Sequence, residues 1–349
     1  MPWRRTKDPY RILLAEYLLQ RTRVASGTPY YERFLDRFPN VAALAAASED
    51  DVLRAWEGLG YYRRARNLHA AAQTIVHDHG GRIPSDAATL STLPGIGPYT
   101  AGAVASIAFG EPVPAVDGNV TRVVSRLFRF EADVTTAAGR ARIHELAADL
   151  VPSDRPGAFN QALMELGASV CAPRRPVCST CPLTEFCLAS QAGIQTSLPR
   201  MPPPRRPRTV PVGFAYIRSR GKVLLVRRPA SELLGGLWAL PGGELPSNRQ
   251  MTSSLRDLVA AQTGLRVDVR EDVARVAHAF SHRRWSGSVY RCVPRRAAPL
   301  PPTARWMAPQ EALHLPLVPV HRRLLAELGS RRPLESFAAS RRRGVTPYQ

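Results

Sequence analysis

The sequence predicts two domains of different class, a mainly α-helical one followed by a smaller α+β one, and three observations carry that expectation. At 349 residues the chain exceeds what a single compact core readily supports. From residue 8 to about residue 188 apolar side chains recur at three- and four-residue spacing, whereas beyond residue 210 the pattern turns to alternating and β-branched runs. Between them lies SLPRMPPPRRPRTVP, Ser197–Pro211, where proline fixes φ and removes donors, so neither a helix nor a central strand can form.

The helical periodicity covers Tyr10–Arg23, Ala42–Gly58, Arg63–His79 and Thr100–Phe109, with Pro39, Pro84, Pro94 and Pro114 marking the breaks. Strand character falls on Val212–Ile217, Val223–Arg227, Val273–Phe280 and Ser288–Val293, with a helix over Ser253–Thr263. The predicted organisation is a helical domain over residues 1–190, a semi-rigid extended linker over 191–209, an α+β domain over 210–330, and a disordered Arg- and Pro-rich tail over 331–349. No internal repeat is present.

Hydrophobic residues make up 44% and charged residues 22%, the balance of a globular protein without a membrane span. The first ten residues are basic and aromatic with no apolar signal core, so the protein is expected to stay in the cytoplasm; a monomer is expected. A net charge of +20 suits a polyanion, because each neutralised phosphate releases counterions; a solvated, arginine-favouring surface is the competing explanation. Only Lys7 and Lys222 are lysines.

Four of the five cysteines, Cys171, Cys178, Cys181 and Cys187, follow one another as C-x6-C-x2-C-x5-C. In a cytosolic chain such a cluster argues for metal rather than disulfides, and close clustering favours an iron–sulfur cube over zinc, though a zinc knuckle stays open. The loop Pro173-Arg174-Arg175-Pro176 between the first two presents cations to phosphate. Cys292, on a predicted strand, reads as a small core residue.

Upstream, Gly95 and Gly97 in LPGIGPYTAG let the backbone turn tightly and aim N–H groups from a helix N-terminus, a ready phosphate site or an ordinary turn. Asp117, in Val116-Asp117-Gly118-Asn119-Val120, sits at a loop-to-helix junction and could be a plain N-cap. Glu16 is an acid within an apolar helical run, where desolvation would hold it protonated near neutrality, or it is a structural or surface charge.

The cysteine spacing resembles the [4Fe-4S] loop of endonuclease III and MutY-type DNA glycosylases, and LPGIGPYTAG resembles their helix-hairpin-helix. The region Trp3-Arg4, Asp8-Pro9-Tyr10 and Glu16-x-x-Leu19-Gln20-Arg21-Thr22 is similar to the MutY motif that begins PWR and continues E-V-M-L-Q-Q-T. The resemblance implies that Glu16 is the general acid that protonates adenine and that Asp117 stabilises the oxocarbenium-like state, with Tyr99 and Asn119 as orienting groups. It places Trp3, Arg4, Leu19 and Gln161 around the adenine. It assigns Gln20, Arg21, Thr22, Gly95 and Gly97 to DNA, and makes Tyr61, in Leu59-Gly60-Tyr61-Tyr62, a wedge that holds the stack open; Tyr61 and Tyr62 could equally be core aromatics. Bifunctional members carry a lysine in the hairpin where this chain has Tyr99, so a monofunctional enzyme is expected. Arg21 replaces the family's second glutamine and is shared with thymine-mismatch enzymes, so the opposite base is the least determined feature.

Residues Gly221–Arg228 and Leu237–Glu244 resemble a Nudix fold, yet Arg256–Gly264 has Ala260 and Ala261 where a Nudix hydrolase has magnesium-binding glutamates. Nucleotide hydrolysis is therefore not expected. Phe280-Ser281-His282 matches the F-S-H loop with which MutY proteins sense 8-oxoguanine, although Ser and His at a strand end are commonly turn residues. The resemblance thus implies an all-α helix-hairpin-helix glycosylase domain with a Nudix-like domain behind it, a [4Fe-4S] cofactor, and duplex DNA carrying adenine opposite 8-oxoguanine or G as partner. The alternative target is thymine or uracil opposite G.

Overall fold

The computed structural model describes residues 1–329 except 21, 23, 204, 205 and 247–250. Arg21 and the tail from residue 331 therefore lie outside the described residues. The chain forms two compact units, Met1–Pro204 and Arg205–Gln349.

The first unit is built from helices. A 3₁₀ turn, Pro2–Arg5, precedes α1 (Pro9–Leu19), α2 (Val24–Arg37), α3 (Val41–Ala46), α4 (Glu49–Ala55), α5 (Arg63–Asp78), α6 (Ala87–Leu90), α7 (Pro98–Val104), α8 (Gly118–Leu127), α9 (Ala137–Ala148), α10 (Pro156–Ser169) and α11 (Leu188–Gln191). Local chemistry sets many of the starts. The Asp8 carboxylate accepts from the Tyr10 and Arg11 amides ahead of Pro9, and Asn40, Ser48, Asp86 and Thr136 cap α3, α4, α6 and α9 likewise.

Two of the predicted helices are broken in ways the periodicity conceals. Ala42–Gly58 divides into α3 and α4, because Ser48 caps a new start within an unbroken apolar pattern. Tyr10–Arg23 ends at Leu19. Helix α1 is buried almost along its whole length, from Tyr10 through Leu18. It is the central post of the unit, so the acid at Glu16 lies inside the protein. The interior of Thr100–Phe109 also departs from a plain helix, passing from α7 into a π-helical turn over Ala105–Phe109.

Residues 191–200, expected as extended linker, are folded onto the helical unit. Leu198 is buried, its carbonyl accepts from Arg126 Nε at 3.1 Å, and the Val134 amide donates to the Arg200 carbonyl at 3.2 Å. A 3₁₀ turn, Gln195–Ser197, forms there. At the far end of the proline-rich stretch Arg208–Pro211 pair with Arg283–Ser286 at the start of a central strand, against the expectation that proline would exclude one. A parallel neighbour on one side tolerates the missing Pro211 donor.

The second unit is a mixed seven-stranded sheet with helices. Its elements are β1 (Arg208–Ser219), β2 (Lys222–Arg227), β3 (Trp238–Ala239), β4 (Gly242–Glu244), α12 (Met251–Thr263), β5 (Val267–Ala279), β6 (Arg283–Pro294), β7 (Ala304–Met307), α13 (Pro309–Ala312) and α14 (Pro319–Gly329). Strand order is β3-β2-β1-β6-β5, with β4 on β1 and β7 on β2. Strand β1 is central: it runs parallel to β6 from Arg208↔Arg283 to Ile217↔Cys292, and antiparallel to β2 and β4. Leu255 and Val259 of α12 pack on Ala215, Ile217 and Leu224 of the sheet, and Cys292 belongs to that core. Strands β3, β4 and β7 have only two to four residues each, too short for alternation to register in the sequence.

Among the described residues no helix is long and apolar enough to cross a membrane.

Candidate active site

Glu16 is the best-buried carboxyl of the helical unit, with 7% of its surface exposed. Burial among apolar side chains raises its pKa to about 7; the Tyr99 hydrogen bond and the Arg4 charge oppose that rise, and the nearby Asp117 adds to it. The Tyr99 hydroxyl donates to Glu16 Oε2 at 2.5 Å and also touches Met164 Sδ at 3.4 Å. Glu16 therefore holds its proton close to neutral pH while staying hydrogen-bonded.

Asp117 takes a different route to a fixed position. It is the N-cap of α8, with Oδ1 accepting from the Val120 amide at 2.7 Å and Oδ2 from Asn119 Nδ2 at 2.9 Å. Burial raises its pKa, while those hydrogen bonds and the Arg122 charge pull it back. Arg122 in turn holds Asn119 Oδ1 at 2.9 Å, the Gly167 carbonyl at 2.6 Å and the Cys171 carbonyl at 2.8 Å. Gly167 is required at this crossing, since a Cβ there would stand 2.6 Å from Asn119 Cβ.

The approach to Asp117 is pinned from α10. Buried Asn160 donates to Ser106 Oγ and to the Val113 carbonyl, each at 2.9 Å, and accepts from the Ala115 amide at 3.1 Å. One residue on, the carbonyl of half-buried Gln161 accepts from Arg4 Nη2 at 3.4 Å, while Arg4 Nη1 pairs with Glu165 at 2.7 Å. Trp3 is buried edge-on against Tyr31, their centroids 5.1 Å apart. Leu19 and Gln20 are half-buried, and Gln20 Nε2 donates to Thr100 Oγ1 at 3.2 Å. The fold thus gathers Glu16, Tyr99, Asp117 and Asn119 at one place, with Arg4 within electrostatic reach.

The hairpin glycines are exposed: Gly95 has φ +74° and would drive a Cβ into Asn67, and Gly97 is the N-cap of α7. Tyr61 stands 47% exposed with φ +49°, whereas Tyr62 beside it is buried. In the second unit Phe280 is half-buried, 5.0 Å centroid to centroid from Trp285, and Ser281 and His282 are exposed at the hairpin closed by the Phe280 amide on the Arg283 carbonyl. The helix that would carry Nudix glutamates, α12, meets the sheet edge through Gln262, which accepts from the Gly242 amide at 2.7 Å and donates to its carbonyl at 3.1 Å.

Cys171, Cys178, Cys181 and Cys187 are free thiols that line one small cavity together with Arg126 and Thr184. Arg126, almost fully buried, donates to Cys171 Sγ at 3.2 Å and to the carbonyls of Ala172 and Pro173, each at 2.9 Å. Burial and the nearby Cys171 and Cys178 push the Cys187 thiol up, against two backbone N–H groups. Among the described residues no three Cys, His, Asp or Glu side chains converge on a point fit for a single ion. Four free thiols lining one cavity are a donor set of the kind that holds a metal centre.

The sequence reasoning missed Arg64, Arg122, Arg126, Asn160 and Gly167. Arg122 and Arg126 have the spacing of one helix face, which is the only local signal; each of the five has a partner more than 40 residues away.

Residues 14–149 match the model of the HhH-GPD superfamily base excision DNA repair proteins, and residues 213–327 match the NUDIX domain model. The adenine DNA glycosylase of Homo sapiens is 34% identical over 89% of this chain and 68% of its own length. That of Mus musculus is 36% identical over 89% of this chain and 71% of its own. The chain belongs to the adenine DNA glycosylase family. Its fold is accordingly a helix-hairpin-helix glycosylase domain followed by a Nudix-like α+β domain. Among solved structures, a thermostable thymine-DNA glycosylase superposes with a TM-score of 0.51 at 33% identity, covering 55% of this chain and 88% of that one. For this adenine DNA glycosylase family member, the likeness to that enzyme lies within about half of the chain.

Proposed function

We propose that the protein is a monofunctional glycosylase that hydrolyses the N-glycosidic bond of adenine opposite 8-oxoguanine or guanine in duplex DNA. The observation that carries this reading is the pairing of Glu16, poised at about 7, with a second carboxylate, Asp117, whose two oxygens are already engaged. An adenine extruded from the stack is protonated on its ring by Glu16, which makes it a neutral leaving group. As the bond to C1′ lengthens, positive charge grows on the sugar, and the fixed Asp117 carboxylate stabilises it until water adds. Tyr99, at the hairpin position where a lyase has its amine, is committed to Glu16, so the strand stays uncut.

Tyr61 serves as the wedge that holds the emptied stack, and Gly95, Gly97, Gln20, Thr22 and Arg21 serve the backbone and the neighbouring bases. The four cysteines would hold a [4Fe-4S] cluster. Bound there, the cluster supplies a rigid anchor for the loop that displays Arg174 and Arg175, both exposed. The excess of cations, +20 overall, supports binding to DNA in the nucleoid. Phe280, Ser281 and His282 serve as the 8-oxoguanine sensor, and α12, with Ala260 and Ala261, performs no hydrolysis. A second reading, thymine or uracil opposite G, has the likeness to the thymine-DNA glycosylase in its favour.

The test incubates the protein with duplexes carrying A opposite 8-oxoguanine, A opposite G, and T or U opposite G, then heats them in alkali. Breakage of only the T or U duplex overturns the adenine reading, and breakage before alkali overturns the monofunctional one. The double substitution Phe280→Ala with Ser281→Ala should lower the preference for 8-oxoguanine over guanine about tenfold or more; unchanged discrimination removes the sensor role.

A further inference from the structure

Helix α1 ends without a cation of its own in the last turn, and its C-cap, Gln20, is not a glycine. Its final carbonyls need donors from elsewhere. They find them on Arg64, in the first turn of α5, whose side chain is buried to 9% exposure. Arg64 Nη1 donates to the carbonyls of Tyr17 at 3.0 Å and Leu18 at 3.2 Å, and to that of Gln20. Its other terminal nitrogen, Nη2, reaches Thr22 Oγ1 and the Leu59 carbonyl, each at 3.4 Å, and the Gly60 carbonyl at 3.5 Å. The guanidinium lies 5.2 Å from the Trp56 ring centroid and 5.5 Å from that of Tyr61. One planar cation thus touches the end of the Glu16 helix, Thr22 and the Leu59–Tyr61 loop.

We infer that Arg64 is a positioning residue that locks the Tyr61 loop to the end of the Glu16 helix, so that the wedge and the acid are set as one unit. The inference rests on the proposed wedge role of Tyr61. The loop needs such a fastening: Tyr61 has φ +49°, a left-handed conformation that a non-glycine residue holds only under outside constraint. Trp56 Nε1 supplies one tie, to the Gly60 carbonyl at 3.1 Å, but it reaches nothing on α1. The fork assigns one nitrogen to each segment, Nη1 to the end of α1 and Nη2 to the Leu59 and Gly60 carbonyls, a division that a single ammonium nitrogen does not reproduce. Lysine keeps the charge and loses the fork.

The experiment uses the full chain and a duplex with 2-aminopurine, which brightens on leaving the stack, and follows extrusion by stopped flow for wild type, Arg64→Lys, Tyr61→Ala and the double variant. Arg64→Lys should slow extrusion about 10- to 100-fold, the scale of a displaced contact group. The double variant should be no slower than Tyr61→Ala alone, and the midpoint of the excision pH profile, set by Glu16, should not move. A merely structural role would shift that midpoint and add to the Tyr61 effect. If Tyr61→Ala extrudes at the wild-type rate, the wedge reading fails, and the inference with it. If Tyr61→Ala is slow but Arg64→Lys is normal, or the two effects multiply, only the inference fails. Should Arg64→Lys not fold, hydrogen exchange of the wild type decides. The amides of Thr22 and Leu59, bonded to the Leu19 and Trp56 carbonyls, should open with the same free energy. Unequal opening overturns the coupling.

Discussion

Glu16 and Glu244 are the same side chain placed in two units and tuned in opposite directions. Burial pushes Glu16 up to about 7, and its one strong donor, Tyr99, only partly offsets this. Glu244 is also pushed up by burial, but hydrogen bonds from Trp285 at 3.0 Å and Arg283 at 2.7 Å, with the Arg283 and Arg228 charges, more than reverse the effect and leave it lowered. An acid kept in apolar surroundings beside a neutral donor retains a proton to deliver. An acid surrounded by cations is a structural anion. The difference separates an acid placed to deliver a proton from one placed to hold its cationic neighbours.

The sharpest way to break this comparison is to remove the proton. Glu16→Gln should lower single-turnover adenine release by about 10²- to 10⁴-fold with duplex binding retained, as should Asp117→Asn. Substantial activity in either would detach the chemistry from the buried pair. Next in size is pH: the excision rate should fall close to tenfold per pH unit above about 7 as Glu16 ionises, and fall again on the acid side as Asp117, itself raised by burial, takes up a proton. Stability should follow the same group. With an ordinary value of 4.5 and a folded value of about 7, Glu16 favours the fold fully below 4.5 and loses that contribution as pH rises through 7. Glu16→Gln should remove a pH-dependence on the order of 3 kcal/mol, and its Tm should exceed the wild-type Tm at pH 8.

A smaller effect sharpens the part played by Asp117. Gly167→Ala puts a methyl 2.6 Å from Asn119 Cβ, and should cost about 1–3 kcal/mol in denaturant melts together with about a tenfold drop in excision. The smallest effect belongs to the other unit. Glu244→Gln should cost less than about 1 kcal/mol and leave the excision rate unchanged, because a partly exposed ion pair contributes little.

These cases also mark what the sequence could convey. Glu16 stood out because an acid inside an apolar run is locally anomalous, and the cysteines and hairpin because their spacing is compact. Gly167 and Arg64 gave no such signal. Each is ordinary in its own helix and acquires meaning from a partner more than 40 residues away. The end of α1 was hidden for the same reason: no glycine or proline marks the stop after Leu19, and the donors for its last carbonyls come from a guanidinium on α5. The cap at Ser48, by contrast, was present locally but masked by the alanine run that leads into it. The strands β3, β4 and β7 were missed simply through shortness.

The contacts of Arg4 with the Gln161 carbonyl and Glu165 have a consequence in time. On the ribosome the α10 residues that fasten Arg4 beside Glu16 are made nearly 150 positions after Glu16 itself. At about 5–20 residues per second that interval lasts about 7–30 s. A nascent chain therefore carries its acid long before it has a closed pocket, and competence to excise a base is acquired only once the helical unit is nearly complete.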